Sequence, residues 1–91
     1  MFHVNDRIRF RNPIPDLTLQ VGVDEAARYG RLAAVIGDEV GTVIDSGQSF
    51  RTASDEDVPQ CSVLFVDLYG GEVPSAPEAL FELVEAAPVE S

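Results

Sequence analysis

The chain has 91 residues, enough for one small domain, and 45% of them are hydrophobic, which supplies a core and argues against wholesale disorder. Sixteen carboxylates face six arginines, lysine is absent, and the formal net charge is −10. This balance excludes the basic footprint that nucleic acids and anionic membranes attract.

The arginines are concentrated near the N-terminus. Beyond Arg31 a single cation, Arg51, faces twelve carboxylates. We therefore expect a protein partner with a basic surface and no direct binding of nucleic acid. A salt-loving host with a GC-rich genome is the other explanation, because acidic surfaces and arginine without lysine are usual there.

Localisation and cofactors are predicted from what the sequence lacks. No apolar run approaches the ~20 residues of a membrane span. The first residues have neither the basic start nor the apolar stretch of a signal peptide. Cys61 is the single cysteine, so no internal disulfide forms. We expect a cytoplasmic protein without membrane contact, metal or cofactor; the oligomeric state stays open.

The first predicted element is a half-buried strand over residues 6–11. Ile8 and Phe10 alternate with Arg7, Arg9 and Arg11. The prolines that follow stop this strand. Residues 17–21 alternate again and predict a second extended segment.

A helical insertion is predicted around residues 24–36, with Asp24 as its cap. Gly30 weakens or ends that helix, and residues 32–36 fit either a second helical piece or a strand. A turn at residues 37–39 and a strand over residues 40–44 follow, closed by residues 45–47.

The second half begins with a polar loop predicted over residues 48–60. Residues 61–69 give the strongest strand signal, and the apolar run 63–66 indicates burial on both faces. A turn and a short strand ending before Pro74 come next. Residues 76–86 fit either one helix or a helical turn followed by a strand. The predicted core consists of Ile8, Phe10, Val43, Leu64, Val66 and Phe81.

Three segments together, residues 6–11, 41–45 and 62–84, resemble the small SH3-like barrels, in particular KOW-type modules and the barrel subunit of photosystem I. Their shared features are a strand with exposed cations, a Gly-Thr-Val strand, and a strand ending in Phe-x-Asp before a turn and a closing strand. The resemblance implies a mostly β SH3-like barrel, with the helical insertion in its first loop and a short helical turn before the last strand.

Two groups of charged side chains are candidate binding residues. Asp55, Glu56 and Asp57 form an acidic loop that attracts a basic partner or is simply solvated, and their spacing does not fit a calcium loop. On one face of the first strand, Arg7, Arg9 and Arg11 recur every ~6.6 Å, suited to phosphates or carboxylates, or to pairing with acids of the same chain.

Binding is favoured over catalysis, because His3 has no second histidine and Cys61 lies in an apolar strand. The first hypothesis is a protein-interaction module or accessory subunit. The alternatives are an acidic mimic of nucleic acid, of viral or mobile-element origin, that inhibits a DNA- or RNA-binding protein, and an enzyme or small-molecule-binding domain. Mimicry requires carboxylates in rows on one surface. A deep pocket with convergent polar groups favours the enzyme or small-molecule domain.

Overall fold

The computed structural model describes residues 2–52, 55–67 and 69–88, which form one antiparallel sheet and two helices. In chain order the elements are β1 (Arg7–Phe10), α1 (Thr18–Val21), α2 (Val23–Ile36), β2 (Gly41–Arg51), β3 (Asp57–Phe65), β4 (Gly71–Pro77), a 3₁₀ turn (Glu78–Leu80) and β5 (Phe81–Glu85). The strand order across the sheet is β4-β3-β2-β1-β5. The prediction of a mostly β fold is confirmed.

Strand β1 lies inside the sheet and follows the predicted alternation. Ile8 and Phe10 are buried, whereas the arginines between and after them are exposed. The strand pairs with β2 on one side and with β5 on the other, where Phe10 lies opposite Phe81. Their rings are 4.7 Å apart, a contact that joins the first and last strands of the chain.

The helical insertion is present, but residues 17–21 are not extended as predicted. They form the single turn α1 because the Asp16 carboxylate accepts hydrogen bonds from the Thr18 amide and hydroxyl at 3.0 and 2.6 Å, which starts a helix. Helix α2 begins at Val23, so Asp24 lies in its first turn and is not the predicted cap. The helix continues through Gly30 to Ile36, so residues 32–36 are helical. Its face with Tyr29 and Ile36 packs on the core.

The predicted loop over residues 48–60 is wrong, because this region forms a long hairpin. Strand β2 continues to Arg51, and β3 begins at Asp57 directly opposite it. Ser46 and Gly47 do not end β2, since the chain absorbs them in an irregular stretch between Asp45 and Gln48 where Gly47 has a φ of 79°. Polar residues on both hairpin strands concealed the extended structure.

The core contains four of the six predicted residues: Ile8, Phe10, Val43 and Phe81 are buried. Two were wrong: Leu64 is only half-buried and Val66 is 65% exposed. A strand is present, but it spans Asp57–Phe65 and not residues 61–69. Its phase is opposite to the predicted one and the run 63–66 is not buried on both faces, because Cys61, Val63 and Phe65 are the buried residues.

The last third of the chain has a 3₁₀ turn followed by a strand, the second of the two predicted alternatives. Leu80 in the turn and Phe81 at the start of β5 are both buried, which anchors the turn to the core. Strand β4 was predicted to end before Pro74, but it runs through that residue to Pro77. A proline is tolerated there because β4 is the outermost strand on its side of the sheet.

The phase of β3 predicts opposite outcomes for two neighbouring truncations. Phe65→Ala should lower the free energy of unfolding by about 3–5 kcal/mol, because the ring is buried and stacks on Phe10. Val66→Ala should change it by at most about 0.5 kcal/mol, since Val66 is exposed. Urea unfolding of both variants measures the difference. Equal effects would contradict the assigned phase.

Candidate interaction surfaces

The three predicted acidic residues lie at the tip of the β2–β3 hairpin, and all three are exposed. The tip is closed by backbone bonds: the Thr52 amide donates to the Glu56 carbonyl, and the Asp55 amide donates to the Thr52 carbonyl. Asp55 has a φ of 61°, a left-handed conformation that aspartate tolerates. Asp57 is already the first residue of β3.

One arginine partly offsets this acidic tip. The Nε of Arg51 is 3.4 Å from an Oδ1 of Asp57, and both side chains are about two-thirds exposed, so the pair contributes little stability. Within the part of the chain that the structure describes, no ion pair involves Asp55 or Glu56. The tip therefore presents excess negative charge to solvent.

The strand-face arginines are exposed as predicted, but they are not equivalent. Arg9 donates from Nε to the Glu82 carboxylate on β5 at 2.7 Å, so it pairs within the chain. Arg7 lies opposite Glu85 in the register, yet among the described residues no ion pair joins them. Arg11 follows the strand, where its amide donates to the Leu80 carbonyl.

Two of these arginines line a cleft of about 750 Å³ between the end of β1 and the end of α2. Arg9 and Arg11 contribute positive charge to it, while Asp38 and Glu82 contribute negative charge. The mixed signs produce no strong field of either kind. The cleft gives the arginine face no clear preference for an anion.

The carboxylates are spread over the molecule. The hairpin tip and Asp67, in the turn after β3, lie at opposite ends of β3. Glu72 and Glu85 lie on β4 and β5, the two outermost strands of the sheet. Negative charge therefore occupies both ends and both edges of the sheet, and no single row contains it.

The buried carboxylate of Asp6 connects the N-terminal segment with the residues that follow β5. It was not predicted as a site. It is 5% exposed and accepts hydrogen bonds from the His3 amide at 2.8 Å and the Ala87 amide at 2.7 Å. Burial by itself raises the pKa of Asp6, but the two amide donors and the nearby His3 together lower it by more, so the net pKa lies below the ordinary value. The sequence did contain a signal for the burial of Asp6, because Asp6 lies two residues before the buried Ile8 in the alternating pattern.

Cys61 and His3 were considered for catalysis, and the structure places them in different environments. Cys61 is fully buried, and this burial, with the nearby charge of Glu78, raises the pKa of its thiol to about 12. The thiol is therefore protonated at neutral pH and is a poor nucleophile. The side chain of His3 is largely exposed, with Nδ1 3.9 Å from an Oδ2 of Asp6.

No protein-family model matches the chain, and comparisons with curated proteins and with solved structures find no significant match. Among residues 2–52, 55–67 and 69–88, no cluster of three or more His, Cys, Asp or Glu side chains has the arrangement of a metal site. Neither helix in that part of the chain has the length and apolarity needed to cross a membrane.

The buried carboxylate predicts a pH-dependent loss of stability. Because the folded-state pKa of Asp6 is lowered, its contribution is complete above the unfolded value of about 3.8 and disappears as the pH falls through the folded value. Asp6→Asn should lower the free energy of unfolding at neutral pH by about 1.5–3 kcal/mol, and the difference should shrink in acid.

Urea unfolding as a function of pH measures this effect. The control is Glu72→Gln, which removes one charge from an exposed side chain. A variant at Asp6 that unfolds at the same urea concentration as the control at neutral pH would show that the carboxylate does not hold the two ends together.

Proposed function

We propose that this chain is a small, non-enzymatic protein-binding module or accessory subunit that engages a cationic surface of a partner protein. The observation that carries the proposal is the hairpin tip, where Asp55, Glu56 and Asp57 are exposed side by side against one arginine. Their solvation makes the tip suited to steering an encounter, since charges at the rim of an interface act mainly on the association rate.

The pairing of the two hairpin strands supports this role, because it fixes the backbone next to the tip. The paired residues from Gln48↔Gln60 to Arg51↔Asp57 extend the β2–β3 ladder as far as the tip. The backbone bonds between Thr52 and Glu56 then close the turn. The backbone at the end of such a ladder is held in place, so the tip itself loses less conformational entropy on binding a partner.

The chain is also proposed to be a variant of the SH3-like barrels. In support, consecutive strands are antiparallel neighbours from β1 to β4, β5 returns beside β1, and a 3₁₀ turn precedes β5. The two helices occupy the loop between β1 and β2. Within the described residues β4 and β5 do not pair, so the sheet is open. Such folds serve many functions, so the functional proposal rests on the surface.

The distribution of charge favours this function over nucleic-acid mimicry. A mimic needs carboxylates in rows at the spacing of phosphates, whereas here they lie on both sheet edges and both ends. The protonated, buried thiol of Cys61 argues against a cysteine-dependent enzyme. Arg7 and Arg11 are the second candidate contact, for carboxylates or phosphates of the same partner.

The test uses a partner isolated with the wild-type chain from its native host. Replacing the tip by Asp55→Asn, Glu56→Gln and Asp57→Asn should slow association about 10-fold at low salt and leave dissociation nearly unchanged, because the tip steers encounter more than it anchors the complex. Kinetics with the partner immobilised, at several salt concentrations, measure both rates.

The matched control removes three other exposed carboxylates by Asp24→Asn, Asp38→Asn and Glu72→Gln, which gives the same net charge. The control should slow association less than the tip variant does. Equal rates for the two variants would assign the effect to net charge alone. Tight binding of duplex DNA by the wild type at physiological salt would contradict the proposed partner class.

A further inference from the structure

The two edges of the sheet are protected differently. Strand β4 carries Pro74 and Pro77, and Ser75 within it has a φ of 49° and donates its amide to the Ser62 hydroxyl. Proline and local distortion are the usual means by which an edge strand is kept from pairing with another chain. Strand β5, with the sequence Phe-Glu-Leu-Val-Glu, has no proline, although its register against β1 shifts between Leu83 and Glu85.

The backbone of β5 has one neighbour. Its register pairs are all with β1, and in the described chain no hydrogen bond joins the backbone of residues 82–85 to any other segment. Among the described residues, the outer side of this strand therefore has amide and carbonyl groups without a backbone partner. An extended segment of another chain is able to satisfy them by adding a sixth strand.

Apolar surface adjoins this open edge. Leu83 is 51% exposed and Val84 is 47% exposed, although both lie in a strand. Leu83 also lines a groove of about 660 Å³ between the N-terminal segment and the end of β5. The other apolar residues that line this groove are Phe2, Val4, Ala86, Ala87 and Pro88.

The charge of the edge determines which segment fits. Glu82 is paired with Arg9, but Glu85 has no ion pair within the described residues and is exposed. A pairing strand with a basic side chain opposite Glu85 gains a favourable cross-strand pair, whereas an acidic one is repelled. The apolar residues of such an alternating strand share one face and contact Leu83, which lies opposite Ile8 in the register.

We infer that β5 is a docking edge for an extended segment of a partner protein in which apolar residues alternate with arginine or lysine. The inference rests on the proposed function, since the partner is of the same basic class, but it places an anchoring contact away from the hairpin tip. Backbone pairing supplies affinity, Glu85 selects a basic residue, and the groove beside Leu83 receives an apolar one.

A second copy of this chain fits the same edge less well. Each copy has a net charge of −10, so two copies repel at any distance within the screening length. Antiparallel pairing of two β5 strands also places the carboxylates of Glu82 and Glu85 of both copies along one short ladder. The charge therefore selects a basic partner over self-association.

The test is a titration of the isotope-labelled full chain with a synthetic peptide of about ten residues in which lysine and valine alternate. Three peptides serve as controls: an alternating glutamate–valine peptide, the lysine–valine composition in scrambled order, and the alternating lysine–valine peptide N-methylated along one edge. The last has the same charge but is unable to form a backbone ladder. Chemical shifts and hydrogen exchange are measured for the backbone amides of the full chain.

The lysine–valine peptide should shift the amides of residues 82–86 and slow exchange in β5. N-methylation should weaken its binding about 10-fold or more, because main-chain hydrogen bonds supply the affinity in this mode. Glu85→Arg should weaken it similarly, whereas Glu72→Arg, the same change on the opposite edge, should have a smaller effect. Both substituted residues are exposed, and thermal melts verify that the variants fold.

Four outcomes would overturn the inference. Shifts confined to Asp55–Asp57, with equal binding of the N-methylated peptide, would reject the edge but leave the proposed hairpin function standing. No binding of the lysine–valine peptide would reject the edge, while the partner kinetics would still decide the hairpin function. Shifts in β5 that depend on protein concentration, with a doubled mass in sedimentation, would assign the edge to a second copy. Equal loss in Glu85→Arg and Glu72→Arg would remove the assigned specificity.

Discussion

The fit of the Phe65 ring over Gly41 is the contact on which the rest of the sheet depends. A Cβ at Gly41 would lie 2.7 Å from side-chain atoms of Phe65 and Val63, so any other residue there forces these core side chains to shift. Near Gly41 the register places Val43 opposite Val63, and it shifts twice between Val43 and Gln48 before Arg51 lies opposite Asp57. Packing over Gly41 therefore constrains the start of the β2–β3 ladder, whereas the irregular stretch sets the pairing next to the acidic tip.

The sequence predicted the elements that have a clear period and missed those whose signal was local. Alternation in β1 and the helical pattern of α2 were sufficient, because each has one buried and one exposed face, although Asp24 does not cap the helix. The run over residues 63–66 is apolar without alternation, so it contains no information on phase, and only Gly41 and the neighbouring strand decide it. The turn α1 depends on the carboxylate of one residue, Asp16, whereas the alternation over residues 17–21 wrongly indicated an extended segment.

For the candidate surfaces, exposure of the tip and of the arginines was predictable from the sequence. The pairing of Arg9 and the open edge at β5 were not, because they depend on strand order.

The repulsion between the excess carboxylates is limited mainly by the distance between them and less by ion pairs with arginine. The ion pairs between arginine and carboxylate in the described chain are Arg9–Glu82, Arg28–Glu25 and Arg51–Asp57, all of them exposed. Surface pairs of this kind contribute little, so they do not neutralise sixteen carboxylates. Spreading the remaining charges over both edges and both ends keeps their mutual repulsion small. The deeply buried carboxylate of Asp6 is stabilised by two amide donors and not by an arginine.

In the proposed complex, the hairpin tip and the β5 edge would have complementary physical roles. An exposed cluster of charge acts at a distance of about a Debye length, so it raises the rate of encounter and contributes little once the partner is bound. A strand edge acts only at contact, because backbone hydrogen bonds and apolar burial have no long range, and it therefore governs dissociation. Strand order puts β1, with Arg7 and Arg9, between β2 and β5. Because Arg9 is paired with Glu82, the positive charge beside the β5 edge is partly screened, which would allow a basic segment to approach that edge.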